Sequence, residues 1–347
     1  MEAVKATENR NIVWVGIDVA KNSYDAAIYL PLEPGQAPRD IINLPKAKFS
    51  RTEKSLSAFH DWTYLVRDKA GAPGSRMRIV MEATGRYSEE LAAWLRKEMA
   101  FTKPVIVNPK KASDYRKSLY SGNDTDAIAA GALARFGAER QPEEAVEFPK
   151  EYKNLQELTR QRSYMVSQRT AAFNRFREIK EVKIVADVQK RLIKTLDRAI
   201  EELEIKIQAC VDKYDDLRIN VAYAASIKGI GLITAASVLA ECGILSRYRS
   251  RQLSAYSGLS PFKHSSGTSI DYTHITRRGS KYLRQALYMP VTSVIKYNSE
   301  MRSFRQRLLD KGKTPMQARC AIMRKLLILI RALVVNENYY QENYKKN

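Results

Sequence analysis

Closely spaced cysteines are missing from this chain. Cys210, Cys242 and Cys320 lie far apart, which excludes a zinc-type spacing and argues against a disulfide framework. They read as small apolar residues in a reducing compartment. Long hydrophobic runs are missing too. The most apolar late stretch, Leu326 to Val335, is interrupted by Arg331 and too short to span a bilayer. The opening MEAVKATENRN has no apolar core of the kind a signal peptide needs. The expectation is a cytoplasmic protein with no membrane partner. Acids are scarce: 59 Lys and Arg face 38 Asp and Glu, for a net charge of +21. Such an excess points to a polyanionic partner, because basic side chains release counterions from phosphates. The plainer alternative is a soluble basic protein with no such partner. Apolar residues are plentiful, at 44% of 347, enough for packed cores in two or three domains.

Along the first part, IVWVGIDVAKNSYDAAIYL holds two apolar, β-rich runs around the turn-forming KNS, a hairpin signal. IINLPKAKF offers a third strand. Leu56, Phe59, Trp62 and Leu65 recur at helical spacing, MRIVMEATG reads as a buried strand, YSEELAAWLRKEM as an amphipathic helix and PVIVNP as another strand. Residues 109–137 are helical in pattern with a break at SGND. Strands alternating with helices imply an α/β layer over 1–145. A polar linker with prolines follows. In 146–215, Leu155, Leu158, Met165, Ala172, Phe176 and Ile179, then Leu196, Ile200, Leu203, Ile207, Cys210 and Tyr214, recur in steps of three and four, with Arg162 and Arg169 at seam positions. That pattern describes two long helices with coiled-coil seams, either an antiparallel arm or a dimerising one. Residues 216–347 form a third, mainly α block.

Within that block, IKGIGLITAASVLAECG reads as helix, glycine turn, helix, the form of a helix-hairpin-helix element. Gly229 and Gly231 would let backbone N–H groups approach a phosphate. A plain helical turn is the alternative. Residues 243–284 hold eight Lys or Arg against one acid, Asp271, with Tyr248, Tyr256, Tyr272 and Tyr282 interleaved. Basic side chains with aromatic rings suit nucleic acid. Lys263, Arg277, Arg278, Lys281 and Arg284 are the candidate contacts, set against a solvated basic face with core tyrosines.

Three places put acids where acids are awkward. Asp18 lies within an apolar strand, Glu82 ends another, and Asp124 and Asp126 open the helix DTDAIAAGALARF. A carboxylate in a buried strand is costly unless paired, capped or metal-bound. Converging carboxylates repel one another without a cation, and Mg²⁺ takes oxygen ligands and works with phosphates. Singly, Asp18 could close a hairpin, Glu82 cap a turn, and Asp124 or Asp126 favour a helix N-terminus. A sugar-kinase or actin-like fold would need glycine-rich phosphate loops that the sequence lacks.

In their order, GIDVAKNSYDAAI, VMEATGRY and NDTDAIAAGALARFG resemble the DEDD-type transposases of bacterial insertion sequences, the family of the insertion sequence numbered one hundred and ten, with the Piv-type DNA invertases. The stretch from IKGIGLITAASVLAECG through SSGTSIDYTHITRRGSKYLRQAL is similar to that family's C-terminal transposase domain. The resemblance spans nearly the whole chain. It implies a RuvC-like, ribonuclease-H-type domain with four acidic metal ligands, a coiled-coil arm and a C-terminal domain with a serine in an S-G motif. It further implies a structured bridge RNA that pairs with donor and target DNA, and a bacterial, nucleoid-associated protein; the seam pattern of residues 151–215 adds the expectation of a homo-oligomer, a dimer or tetramer. Asp18 matches the first acid, Glu82 the second and Ser266, before Gly267, the serine. The last pair is irregular. Asp126 fits the acid before Ala127, with Asp124 as its partner, or Asn123 stands where an acid is expected. A third register makes Asp126 the first of the pair and puts Ala129 in the last acid's place. The choice of Asp124 with Asp126 requires Asp124 to precede the first helical turn, as an N-cap would.

The resemblance makes Ser266 a nucleophile on a DNA phosphate, with a plain turn or a phosphate hydrogen bond as the alternative and Ser265 and Ser257 as rival nucleophiles; His264, two residues before it, reads as a structural or DNA-contacting residue rather than a base. The long arms could bring the serine of one subunit to the acids of another. Two other functions stay open. One is a RuvC-like nuclease that uses water and no serine. The other is a nucleic-acid-binding protein whose acid site has decayed.

Overall fold

Strand β1 (Ile12–Val19) is apolar on both faces until Asp18, the pattern of a strand covered on both sides. In the computed structural model it is the centre of a five-stranded sheet of order β3-β2-β1-β4-β5. The structure describes residues 12–30, 36–99, 104–120, 122, 125–142, 148–179, 182–266, 270–276 and 279–342. β2 (Ser23–Tyr29) runs antiparallel to β1, and β3 (Lys46–Ser50) antiparallel to β2. β4 (Arg76–Glu82) lies parallel to β1 on its other side, followed by parallel β5 (Val105–Val107). The hairpin expected at 12–30 is thus present. The third strand starts only at Lys46, because Ile41 and Leu44 turn inward as buried loop residues.

Each face of the sheet has its own cover. Val13, Val15, Ile17 and Val19 pack with Leu56 and Phe59 of α1 (Glu53–Lys69) and with Leu91 and Leu95 of α2 (Arg86–Glu98). Trp14, Ala27 and Val80 on the opposite face pack against Ala130, Leu133 and Ala134 of α4 (Asp126–Arg140), with α3 (Pro109–Leu119) beside it. Gly16 and Gly137 let α4 lie directly on the strand. A Cβ at Gly16 would stand 2.1 Å from the Ala130 carbonyl oxygen and 2.2 Å from the Ala134 nitrogen, and one at Gly137 would meet the Trp14 ring at 2.3 Å.

The chain divides into two compact units, Met1–Glu147 and Phe148–Asn347. The second begins with α5 (Lys150–Glu178) and α6 (Lys183–Asp212), joined by a short connection. Arg162 pairs with Glu204 at 2.6 Å and Arg169 with Asp197, so advancing along α5 means retreating along α6, and the helices are antiparallel. Leu155 and Ile207 bury the base of the pair, whereas Phe173, Ile184, Val188 and Leu192 at its far end are exposed. Next come α7 (Asp215–Ala225), α8 (Leu232–Cys242), a 3₁₀ turn at Leu245–Arg247 and α9 (Ser250–Tyr256). A two-stranded hairpin, β6 (Pro261–Ser266) and β7 (Ile270–Ile275), interrupts the helices. It is followed by α10 (Lys281–Tyr288), α11 (Pro290–Tyr297), α12 (Ser299–Asp310) and α13 (Pro315–Val335). Leu239, Leu253, Leu283, Val294, Leu326 and Ile330 form a single core across these helices. Among the described residues, no helix is long and apolar enough to cross a membrane.

A Cβ at Gly16 would meet backbone, which cannot rotate away. Gly16→Ala should therefore cost about 1–3 kcal/mol, as overpacking does. Tryptophan fluorescence during denaturant unfolding measures it, since Trp14, Trp62 and Trp94 all belong to the first unit. A variant as stable as the wild type would contradict this packing.

Candidate functional site

Alternation along the strands turns Asp18 to the α4 face with Trp14 and Gly16, and Glu82 to the same face with Val80. Ile17 pairs with Met81 in the parallel ladder, so the next residues, Asp18 and Glu82, are neighbours at the strand ends. On the other side Asp18 lies opposite Asp25, and Asp25 opposite Lys48, whose ammonium is 3.2 Å from the carboxylate. Lys48, Asp25, Asp18 and Glu82 thus form a row across β3, β2, β1 and β4. Helix α4 begins above that row with Asp126, capped by the Thr125 hydroxyl, which accepts from the Ile128 N–H at 3.4 Å.

The electrostatics follow from this placement. Burial pushes the Asp18 carboxyl up to about 6, with the negative charges of Asp126, Glu82 and Asp25 adding to the rise and Arg116 of α3 opposing it. Asp18 and its acidic neighbours form a repulsive set that a cation would relieve. The donors are carboxylates, which suit a hard divalent ion. As the side chains stand, no three His, Cys, Asp or Glu among the described residues form a ligand set for a metal.

Of the expected acids, Glu82 and Asp126 lie near enough for their charges to act on Asp18, with the three carboxylates short of a ligand set. Asp124 lies outside the described residues. The helix starts after it, and the N-cap role considered for Asp124 belongs to Thr125. Ala129 is buried one turn on from Asp126. Sequence reasoning missed Asp25 and Arg116. The hairpin signal at KNS contained the first of these, since a turn centred there sets Asp25 opposite Asp18.

In the second unit, Ser266 ends β6 and pairs in register with Ile270, at the tip of the hairpin. Gly267 and the basic residues Arg277 and Arg278 fall outside the described residues. Ser257, one rival nucleophile, is fully buried and donates to the Ser254 carbonyl at 2.9 Å. The base of the hairpin is held by a polar clamp that the sequence reading did not single out. Glu241 of α8 is only 2% exposed. It accepts from Arg160 of α5 at 2.6 and 3.1 Å and from the Ser280 hydroxyl at 3.0 Å. Arg160 also lies over the Tyr282 ring, 4.5 Å from its centroid. Arg284 donates to the carbonyls of Ser257, Gly279 and Ser280 at 3.0–3.2 Å, so its guanidinium fastens the segment after β7 to the end of α9.

A cavity of about 1390 Å³ opens beside this clamp. Arg162, Lys281, Lys313, Arg324 and Lys325 line it with Arg160, against Glu241 as the acid, and Pro261, His274 and Ile275 of the hairpin base reach it. Lys281 lies over Tyr282 at 5.0 Å. Lys263 is on β6. In the helix-hairpin-helix segment, Gly229 has φ +96 and packs against the backbone of Ser293 and Val294, a structural demand for glycine. Gly231 has open space around it and caps α8, whose first turn has no side-chain cap.

A carboxyl raised from 3.8 to about 6 contributes stability that is present below its unfolded value and lost as pH rises through its folded one. Without divalent metal, Asp18→Asn should thus melt above the wild type at pH 7.5, and the gap should close by pH 4. A variant less stable at pH 7.5, or a gap independent of pH, contradicts the repulsive set.

Two family models match the chain in order. One, described as a transposase model of DEDD type, covers residues 15–181, and the other, Transposase IS116/IS110/IS902 family, covers residues 221–306. The pilin gene-inverting proteins of Moraxella lacunata and Moraxella bovis are each 30% identical over 92% of this chain and 95% of their own length. The transposase for insertion sequence element IS1111A of Coxiella burnetii is 26% identical over 76% of this chain and 79% of its own. The resemblance read from the ordered motifs is borne out over most of the chain, and the chain belongs to the IS116/IS110/IS902 family of transposases and DNA invertases.

Proposed function

We propose that this transposase catalyses serine-mediated, Mg²⁺-dependent DNA strand exchange guided by a structured bridge RNA. The observation that carries the proposal is the convergence of Asp18, Glu82 and Asp126 at the strand ends, with burial and like charge raising Asp18. The sheet order supports reading the first unit as RuvC-like. In that reading residues 1–145 hold the acids, 146–215 the arm, and 216–347 the serine and the DNA-contacting elements. Asp18, Glu82 and Asp126, with Asp124 as the fourth acid, would hold the metal. The ion would stabilise charge on a reacting phosphate.

The chain's own residues divide the remaining work. The Ser266 hydroxyl attacks a DNA phosphorus. Its Oγ–P bond forms as the P–O3′ bond breaks, the serine proton passes to a base or water, and the departing 3′ oxygen gains a proton. The resulting 5′-phosphoserine preserves the bond energy needed to rejoin strands. The Glu241–Arg160–Ser280 clamp holds the base of the hairpin that presents Ser266. The basic cavity beside it takes donor or target DNA, or RNA, by phosphate contacts. The exposed apolar residues at the far end of α5 and α6 are the face through which copies associate.

A nuclease using water predicts no covalent intermediate, which makes the adduct decisive. On a substrate nicked to stall the reaction, the wild type should yield a protein–DNA adduct that survives denaturant and maps to Ser266, from a dimer or larger assembly in light scattering. Ser266→Ala should lose the adduct and keep DNA binding, since the surrounding Lys and Arg supply most of the affinity. Asp18→Ala and Glu82→Ala should lose strand exchange and keep the fold and RNA binding. Strand exchange without any covalent intermediate overturns the serine role, and an active Asp18→Ala overturns the metal site.

A further inference from the structure

The last described residues do not trail away from α13. They cross back over the turn between α7 and α8, the element with Gly229 and Gly231. Tyr340 donates its backbone N–H to the Ser226 hydroxyl at 2.8 Å, and its own hydroxyl accepts from Asn298 at 2.8 Å. Tyr339 packs edge-on against Tyr223, with ring centroids 5.0 Å apart. These contacts bring Glu342 to the start of α12. One carboxylate oxygen accepts from the Ser299 hydroxyl at 2.6 Å and from the Ser299 backbone N–H at 3.2 Å, and the other receives Lys228 at 2.6 Å. Lys228 belongs to the glycine turn itself.

The donors form an anion site with an anion seated in it. An ammonium, a hydroxyl and the first N–H of a twelve-residue helix converge on one carboxylate from two separate segments. Lys228, followed by Ser299, holds the Glu342 carboxyl down at about 2, so the group is charged at any working pH. The same donors suit two non-bridging oxygens of a phosphodiester. The Lys228 side chain is 59% exposed, and an exposed ion pair is screened by salt and easily exchanged.

We propose that the tail from Asn336 to Glu342 is an autoinhibitory strap: Glu342 fills a phosphate site built by Lys228 and Ser299, and a nucleic-acid backbone displaces it. The proposal rests on the reading of this protein as a nucleic-acid enzyme, and it assigns a phosphate site distinct from both the carboxylates and the serine. The acid keeps the basic turn closed until a polymer with many phosphates competes. A single phosphate gains little over the carboxylate, whereas a duplex bound elsewhere on the same surface presents its next phosphate at high local concentration. The device would favour long DNA over free phosphate and short fragments.

The test is fluorescence anisotropy of the full chain with a labelled 20-base-pair duplex at several salt concentrations. Glu342→Gln should bind about three- to tenfold tighter at low salt, with a log–log salt slope steeper by about 0.9, the mark of one added phosphate contact. Truncation after Asn338 should give the same gain. Lys228→Ala should erase the gain in the Glu342→Gln background, and Glu178→Gln, an equal charge change on exposed α5, should give none. Unchanged or weaker binding by Glu342→Gln and by the truncation overturns the strap. A gain that survives Lys228→Ala, or that Glu178→Gln reproduces, is a general charge effect and overturns it as well. A wild-type chain that binds no duplex overturns the nucleic-acid reading and the strap together.

Discussion

The first unit depends on backbone packed against backbone where Gly16 has no side chain. α4 rests on β1 at that point, with Gly137, beyond the Ala134 contact, accommodating the Trp14 ring. The contact fixes how far α4 can slide along the strand, and so where its first residue, Asp126, arrives relative to Asp18 and Glu82. Had β1 a larger residue there, the helix would lift and the three acids would separate. Burial first, and then the charges of Asp126 and Glu82, raise the Asp18 carboxyl there. A fold does not retain such a repulsive set for packing, since Trp14 and Val80 already supply the apolar contact on that face.

The second unit is organised by a charge of a different kind. Glu241 is buried, but it is fully partnered by Arg160 and Ser280, and its backbone carbonyl accepts from the Tyr256 hydroxyl at 3.0 Å. Removing Arg160, itself 40% exposed, would leave Glu241 buried without its counter-ion, which is destabilising. The pair therefore ties α5, α8 and α10 into a rigid base for the hairpin that ends in Ser266. The two acids illustrate one rule with two outcomes. Glu241 is satisfied and structural, whereas Asp18 faces its own kind.

Much of this could be read in the sequence. The apolar run around Asp18 and the strand before Glu82 singled out both acids as candidates, because a carboxylate in a buried strand needs a reason. The seam pattern identified the two long helices, and Arg162 and Arg169 proved to bridge them. What could not be read depended on distant partners. Glu241 sits in LITAASVLAECG, an apolar helix, but Arg160 is 81 residues away and nothing local links them. The hairpin at 261–275 was hidden by Ser, Thr and His, which mark loops as readily as strands. The strap escaped because Glu342 and Lys228 are 114 residues apart. The exposed end of the arm was ambiguous for another reason: a heptad pattern states that a seam will be covered without stating by what.

The proposed metal site asks Asp18, Glu82 and Asp126 to share one divalent cation. Anomalous diffraction from crystals of the full chain grown with Mn²⁺ tests it most directly. The expected result is an anomalous peak with carboxylate oxygens of these three residues about 2 Å away. Manganese bound only elsewhere, with the three carboxylates still apart, would contradict it.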